Sequence, residues 1–142
     1  MVEYKKNCPE NAYSNKLRVE EPYEEFLYSQ SYFKCAEELE NKDYGLRPSL
    51  DNYFTAIQIL SNAILLKKLS IRSKISACGY YKLYLKKIIS KNLYEKIDSL
   101  REDRNIIHYY GNKAFDKSDD EIKELIKNIK VIFEELSKIY EK

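Results

Sequence analysis

The chain has 142 residues, a length that suits one domain with a core large enough to fold without metal ions or disulfide bonds. Gly and Pro occur only three times each, which argues against turn-rich sandwiches and barrels and favours long helices with few breaks. The net charge is +2, so no global field draws the molecule onto nucleic acid or an anionic membrane, and any such contact must be local.

The cysteines and the apolar segments indicate the compartment. Cys8, Cys35 and Cys78 are odd in number, far apart and without the spacing of a metal site, which favours three reduced thiols over a disulfide framework or a zinc site. Residues 1–21 contain no apolar signal-peptide core, and no apolar stretch approaches the roughly 18 residues of a membrane span. We therefore expect a cytoplasmic protein with no membrane, metal or cofactor requirement.

Helical periodicity predicts an all-α, single-domain bundle of about five helices. Residues 1–21 are polar without helical periodicity and are predicted to form an irregular N-terminal arm, whereas residues 22–142 form the helical domain. In chain order, the predicted helices run from Pro22 to about Lys42, from Pro48 and Ser49 to a connection at Lys67–Arg72, from Ile75 to Ile88, from Asn92 to a C-cap at Gly111, and from Ser118 to the C-terminus.

Local signals refine three of these helices. Asn92 with Glu95, and Ser118 with Glu121, have the spacing of capping boxes and predict the starts of the fourth and fifth helices. Gly79 lies inside the third helix, where glycine costs about 1 kcal/mol relative to alanine. A close contact with a neighbouring element would explain this glycine.

The predicted fourth helix has cationic side chains beside its apolar stripe. Arg104 continues the apolar face, and Arg101 and His108 lie at its edge. Their i,i+3 and i,i+4 spacings allow all three side chains to project into one small volume. Because burying an unpaired guanidinium costs several kcal/mol, Arg104 needs a carboxylate, a phosphate or a water-filled cleft beside it. The apolar members of this stripe are Leu93, Ile97, Leu100 and Ile107.

A purely structural interpretation also fits this helix. Arg101 and Arg104 would then pair with Glu102, Asp103 or acidic residues of other helices, and His108 would be a half-buried packing residue. The tyrosines of the third helix have two interpretations as well, since they could stack on bases or pack in the core. These are Tyr80, Tyr81 and Tyr84.

The run from Leu100 to Gly111, LREDRNIIHYYG, resembles the signature helix of the HEPN superfamily, in which an Arg, often followed by Asn, precedes a His by a short spacer. The resemblance extends over about residues 22–140, because the second helix and the number of helices also agree. Arg104 is followed by Asn105, whereas Arg101 has the family's usual distance to His108. Either arginine is therefore a candidate for the functional one.

The resemblance implies a HEPN-like bundle that forms a homodimer through helix four and acts as a metal-independent endoribonuclease, as a toxin or a defence enzyme. It also implies RNA or a nucleotide as ligand and a nucleotidyltransferase antitoxin as a possible partner. Tyr110 matches a Tyr that such a partner modifies in some members, with aromatic packing as the alternative. The implied catalytic residues are Arg104, His108 and Arg101, and the implied binding residues are Asn105, Tyr109 and Tyr110.

The chemistry of RNA cleavage fits these residue types. The 2′-hydroxyl must lose a proton while the phosphorane gains negative charge, and an unperturbed imidazole titrates near 6.5 while a guanidinium stabilises the charge. Two other functions stay open on the sequence. One is a non-catalytic HEPN module that binds a nucleotide or RNA or partners a nucleotidyltransferase, and the other is an unrelated helical interaction protein.

Overall fold

A computed structural model describes residues 8–14, 21–109 and 118–142, with the backbone alone at residue 21 and residues 105–109. Across these ranges the protein is an all-α bundle, as its composition predicted. A two-residue antiparallel ladder pairs β1 (Tyr13–Ser14) with β2 (Arg72–Ser73). The five α-helices of the described ranges are α1 Glu21–Glu40, α2 Leu46–Leu69, α3 Ser76–Leu85, α4 Lys91–Tyr109 and α5 Asp119–Glu141.

The second helix is the centre of the bundle, since α2 contacts each of the other four helices. Ala56 and Ala63 on α2 are completely buried, which lets neighbouring backbones approach closely. Aromatic side chains fill the space between α1, α2 and α5. The ring of Phe33 stacks on that of Phe133 at 4.3 Å and meets the ring of Tyr53 edge-on at 5.2 Å.

The fifth helix begins where the sequence predicted. Ser118 Oγ accepts a hydrogen bond from the Glu121 amide, and the Glu121 carboxylate accepts one from the Ser118 amide. This confirms the predicted capping box and satisfies two amides that a helix start leaves without partners. The helix then buries an apolar stripe against the core, consisting of Ile122, Ile126, Ile129, Ile132, Phe133, Leu136 and Tyr140.

The fourth helix begins earlier than the sequence predicted. The helix starts at Lys91, and the Leu93 amide donates to Ser90 Oγ at 3.1 Å, so Ser90 is the N-cap and the capping box at Asn92 and Glu95 was wrong. The predicted C-cap at Gly111 lies outside the described residues.

Two glycines lie close to neighbouring atoms, one where a side chain has no room and one where it would be crowded. A Cβ at Gly45 would lie 1.5 Å from the Leu39 carbonyl oxygen, so the sharp corner between α1 and α2 requires glycine. At Gly79 a Cβ would lie 3.1 Å from Ser73 Cβ and 3.2 Å from Leu65 Cδ1. The close contact that the sequence analysis expected at Gly79 is therefore present.

The N-terminal segment departs from two expectations. Residues Glu10–Ala12 form a 3₁₀ turn and lead into β1, so this part of the predicted irregular arm is ordered by pairing with β2. Cys8 and Cys78 form a disulfide bond across 70 residues of chain, so the expectation of three reduced thiols was wrong for this pair. Cys35 is a free thiol on the exposed face of α1. The rest of the arm, residues 1–7 and 15–20, lies outside the described residues.

Candidate functional site

The apolar stripe of α4 fixes the position of the two candidate arginines. Leu93, Ile97 and Leu100 are at most 5% exposed and belong to the core of the chain. Anchoring this face of α4 turns Arg101 and Arg104, in the following turn, toward α2 and α3. The apolar stripe of α4 is thus used within the chain as far as Leu100.

Arg101 is engaged by a buried carboxylate of its own helix. Its Nε donates to Asp98 Oδ1 at 3.1 Å, and the two side chains are 22% and 10% exposed. A charged hydrogen bond of this kind compensates for burying Asp98 and fixes the orientation of the guanidinium. Arg101 is therefore held in place before any ligand binds.

Arg104 has a looser ionic contact with another helix. Its Nε lies 3.9 Å from Oδ1 of Asp51 on α2, a distance that allows attraction but no hydrogen bond. The same Nε is buried and has no hydrogen-bond partner among the described residues, while the side chain as a whole remains 32% exposed. Part of the guanidinium can thus still receive an oxygen ligand from solvent.

Both arginines border one small cavity between α2, α3 and α4. Its volume is about 20 Å³, enough for about one water molecule and far too small for a nucleotide. A phosphate group must therefore approach the guanidinium groups from their solvent-facing side. The cavity is lined by Phe54, Ile57, Gln58, Ser76, Tyr80, Ile97, Leu100, Arg101 and Arg104.

A buried tyrosine forms the α3 side of this cavity. Burial raises the pKa of the Tyr80 hydroxyl, and the positive charges of Arg104 and Arg101 oppose that rise only in part. Tyr80 therefore stays protonated beside the two guanidinium groups and adds no negative charge to the site. At 6% exposure it is a packing residue, and its ring is not free to stack on a base.

The other tyrosines of α3 form an aromatic cluster with α4. The Tyr84 ring stacks on the Tyr94 ring at 5.0 Å, and the Tyr81 ring lies 6.1 Å from that of Tyr94. Tyr81 and Tyr84 are half-buried, so both contribute packing and keep partly accessible edges.

Three of the predicted site residues are placed on α4 by backbone alone. Asn105, His108 and Tyr109 lie in the last turns of the helix, and their side chains are outside the described part of the protein. His108 follows Arg104 by four residues, about one helical turn along the same face. Tyr110 lies outside the described residues altogether.

Sequence reasoning missed the acidic partners of the site. Asp98 precedes Arg101 by three residues, and helical spacing alone could have identified it. Asp51 could not be found this way, because it belongs to another helix and only the packing of α2 against α4 brings it to Arg104. The structural interpretation expected an acidic residue of another helix beside Arg104, and Asp51 is one, but Arg101 pairs with Asp98 of its own helix, which that interpretation did not name.

Two kinds of feature are absent from the described residues. Among them, no group of three or more His, Cys, Asp or Glu side chains is arranged to hold a metal ion. No helix in the same ranges is both long enough and apolar enough to cross a membrane.

Comparison with known proteins adds no relative, since no protein-family model, curated protein or solved structure matches this chain.

Proposed function

We propose that this protein is a metal-independent endoribonuclease with a HEPN-like site, in which Arg104 and Arg101 bind the scissile phosphate and His108 transfers protons. The observation behind the proposal is the convergence of two guanidinium groups on one cavity, with Arg104 Nε buried and without a hydrogen-bond partner in the described part of the chain. The Arg104 side chain is 32% exposed, so a phosphate oxygen would approach the accessible part of the guanidinium while Nε stays buried.

The geometry favours different roles for the two arginines. Arg101 Nε donates to Asp98, whereas Arg104, within the ranges that the structure describes, has a looser 3.9 Å contact with Asp51. Arg104 is therefore our candidate for the direct phosphate ligand, and Arg101 supplies a fixed positive charge behind it. The carboxylate of Asp51 competes with phosphate for Arg104 in the free protein.

His108 supplies the acid–base step in this proposal. An imidazole at this position would accept the 2′-hydroxyl proton as the hydroxyl oxygen attacks phosphorus, and a proton would return to the departing 5′-oxygen. The products are a 2′,3′-cyclic phosphate and a 5′-hydroxyl. Asn105, Tyr109 and Tyr110 are proposed to contact the RNA. Because the proposed substrate is RNA, we expect the activity in the cytoplasm.

We further propose a homodimer through the outer face of α4. A groove of about 300 Å³ separates α4 from α5, and Lys96, Ser99 and Asp103 lie along its α4 side. Lys96 and Asp103 are two helical turns apart on either side of the small Ser99. An antiparallel contact of two α4 helices would set Lys96 against Asp103 of the partner subunit twice, by symmetry.

The dimer is tested by exchanging charges. Lys96→Glu should convert the dimer to a monomer in light scattering at micromolar concentration, because it sets two acidic side chains against each other. Adding Asp103→Lys should restore the dimer. A monomeric wild-type protein, or a single variant that remains dimeric, contradicts this contact.

A second candidate function is a non-catalytic module that binds RNA or a nucleotide, alone or with a nucleotidyltransferase partner. The hydrogen bond from Arg101 to Asp98 and the small cavity favour it, since both reduce the positively charged surface that could stabilise a transition state. Binding of RNA without cleavage, lost in Arg104→Ala, would establish this function in place of the first.

The arginine roles are tested by cleavage of a labelled single-stranded RNA. Arg104→Lys should lower kcat/KM by roughly 10²-fold, because lysine cannot reproduce the planar guanidinium contact. Arg101→Ala should cost less, and Asp51→Asn should lower KM by removing the competing carboxylate. Arg47→Lys is the matched control, since Arg47 pairs with Asp119 away from this cavity and should retain full activity. Full activity in Arg104→Lys contradicts the proposed phosphate contact.

A further inference from the structure

The disulfide bond fastens a short N-terminal segment onto α3. Beside the bond between Cys8 and Cys78, residues 8–14 are held by the two-residue ladder of β1 and β2, and the Lys74 amide donates to the Ala12 carbonyl at 2.8 Å. The Tyr13 hydroxyl donates to the Cys78 carbonyl at 3.1 Å. A ladder of this length is marginal on its own, so the covalent bond dominates the attachment.

The two cysteines differ in their exposure to solvent. Cys78 is 3% exposed, whereas Cys8 is only half-buried. Cys8 is therefore the more accessible of the two for an incoming thiolate, and Cys78 is the leaving group. Cys78 lies in the first turn of α3, where the positive end of the helix dipole stabilises a departing thiolate. Both features favour exchange at this bond.

We propose that Cys8 and Cys78 form a redox-active pair that a soluble dithiol opens and a low-molecular-weight disulfide closes. In opening, a thiolate of the dithiol attacks Cys8 Sγ, the protein disulfide breaks, and Cys78 leaves as a thiolate and takes up a proton. The second thiolate of the reductant then attacks the reductant's other sulfur, which is bonded to Cys8 in the mixed disulfide. This closes the reductant's disulfide and releases Cys8 as a thiolate, which takes up a proton. The protein gains two electrons and two protons, and the dithiol becomes a disulfide.

Opening the bond affects the wall of the arginine cavity. Ser76 and Tyr80, on either side of Cys78, line that cavity. Gly79 packs against Ser73 of β2, so the ladder and the start of α3 support each other. Release of residues 8–14 removes β1 from β2 and uncovers the first turn of α3. The redox state of the pair thus sets the rigidity of the α3 side of the cavity, whether or not the chain cleaves RNA.

The expected compartment fits a switch of this kind. In a cytoplasm buffered by glutathione, thiols are kept reduced, and the disulfides that do form are usually transient or redox-sensing. The pair would then be open at rest and closed under oxidising conditions.

The test uses the full chain with Cys35→Ser, so that only the pair can react. The protein is equilibrated in buffers of reduced and oxidised glutathione, alkylated and weighed by mass spectrometry. We expect both thiols to be protected together in the oxidised buffer and both to be labelled after excess dithiothreitol, while the protein stays folded. Labelling of both thiols in oxidised buffer, or a bond that survives excess dithiothreitol in the folded protein, overturns the proposal.

Hydrogen exchange of single amides tests the structural consequence. The Lys74 amide loses its acceptor when residues 8–14 leave, so its exchange should accelerate at least tenfold on reduction. The Gly79 amide reports on the start of α3 and should also exchange faster. The Ile122 amide, bonded to Ser118 at the start of α5, is the control and should not change. Cys8→Ser with Cys35→Ser should reproduce the reduced pattern, and equal Lys74 exchange in both redox states contradicts the release of the segment.

Discussion

At the scale of single residues, two buried tyrosines differ in whether their hydroxyl groups are hydrogen-bonded. The Tyr53 hydroxyl donates to the Glu40 carboxylate at 2.5 Å, and Lys130 lies 3.2 Å from the same carboxylate. The Tyr94 hydroxyl is buried without a hydrogen-bond partner in the described structure. A bonded buried hydroxyl adds to stability, whereas an unbonded one costs the free energy of removing it from water.

Replacing each hydroxyl by hydrogen should therefore have opposite effects. Tyr94→Phe should raise the free energy of unfolding by about 1 kcal/mol, because an unsatisfied buried group is removed. Tyr53→Phe should lower it by about 1–2 kcal/mol, because the Glu40 carboxylate loses a donor. Urea unfolding at neutral pH measures both. A Tyr94→Phe protein less stable than wild type would mean that the hydroxyl has a partner after all.

The raised pKa of Tyr94 predicts that the stability of the protein falls at alkaline pH. Burial raises the pKa of Tyr94 to about 12, whereas an unfolded tyrosine titrates near 10. Between these values the unfolded chain gives up this proton and the folded protein retains it, so stability falls as pH rises from about 10 to about 12. Tyr94→Phe should show a shallower fall over this window in urea titrations. An unchanged slope contradicts the raised pKa.

At the same scale, only part of the site was predictable. Helical spacing was enough to bring Arg101 and Arg104 together on one face of α4. Helical spacing could not predict how each guanidinium is bound, since Arg101 is fixed by Asp98 and Arg104 lies at a longer distance from Asp51. The second distance depends on how two helices pack, and no local pattern contains that information.

At the scale of elements, the starts of the helices show where local sequence signals compete. Ser90 and Asn92 are both residue types that favour N-caps, and the capping-box spacing of Asn92 and Glu95 made Asn92 the predicted cap. With Ser90 as cap, the preceding Ile89 and the fourth helical residue Tyr94 are both buried, which is the arrangement of a hydrophobic staple. Tertiary burial of these two side chains decides the start. The Ser118 capping box had no such competitor and was predicted correctly.

Alanine substitutions separate the two caps. Ser90→Ala should lower the free energy of unfolding by about 1 kcal/mol, because the Leu93 amide loses its acceptor. Asn92→Ala should change it by less than about 0.5 kcal/mol, since Asn92 is an exposed residue of the first turn. Equal losses in the two variants, measured by urea unfolding, would contradict Ser90 as the cap.

At the scale of the whole molecule, a bundle of this length has an internal cross-link that its core does not require. The bond between Cys8 and Cys78 closes a loop of 70 residues and links the N-terminal segment to α3. This disulfide bond could not be predicted from the sequence, because an odd number of distant cysteines has no spacing that predicts a pair. The all-α class was predictable from composition and periodicity, since both depend on local properties of the chain.

A loop of this size predicts a large effect of reduction. In the chain-entropy account, opening it should lower the free energy of unfolding by about 4 kcal/mol, because the unfolded chain regains conformational freedom. Urea unfolding with and without dithiothreitol measures the difference. Cys8→Ser should match the reduced protein, and Cys35→Ser should match the oxidised wild type. Identical midpoints for oxidised and reduced protein would contradict the cross-link.

The proposed activity is tested most directly by the chemical ends of cleaved RNA. Purified protein is incubated with single-stranded RNA in EDTA, and the products are analysed by mass spectrometry beside those of His108→Ala. We expect the wild type to leave 2′,3′-cyclic phosphate and 5′-hydroxyl ends, and His108→Ala to lose nearly all cleavage while its helical circular dichroism is unchanged. Intact RNA with the wild type, cleavage that persists in His108→Ala, or cleavage that requires a divalent ion would contradict the proposed ribonuclease.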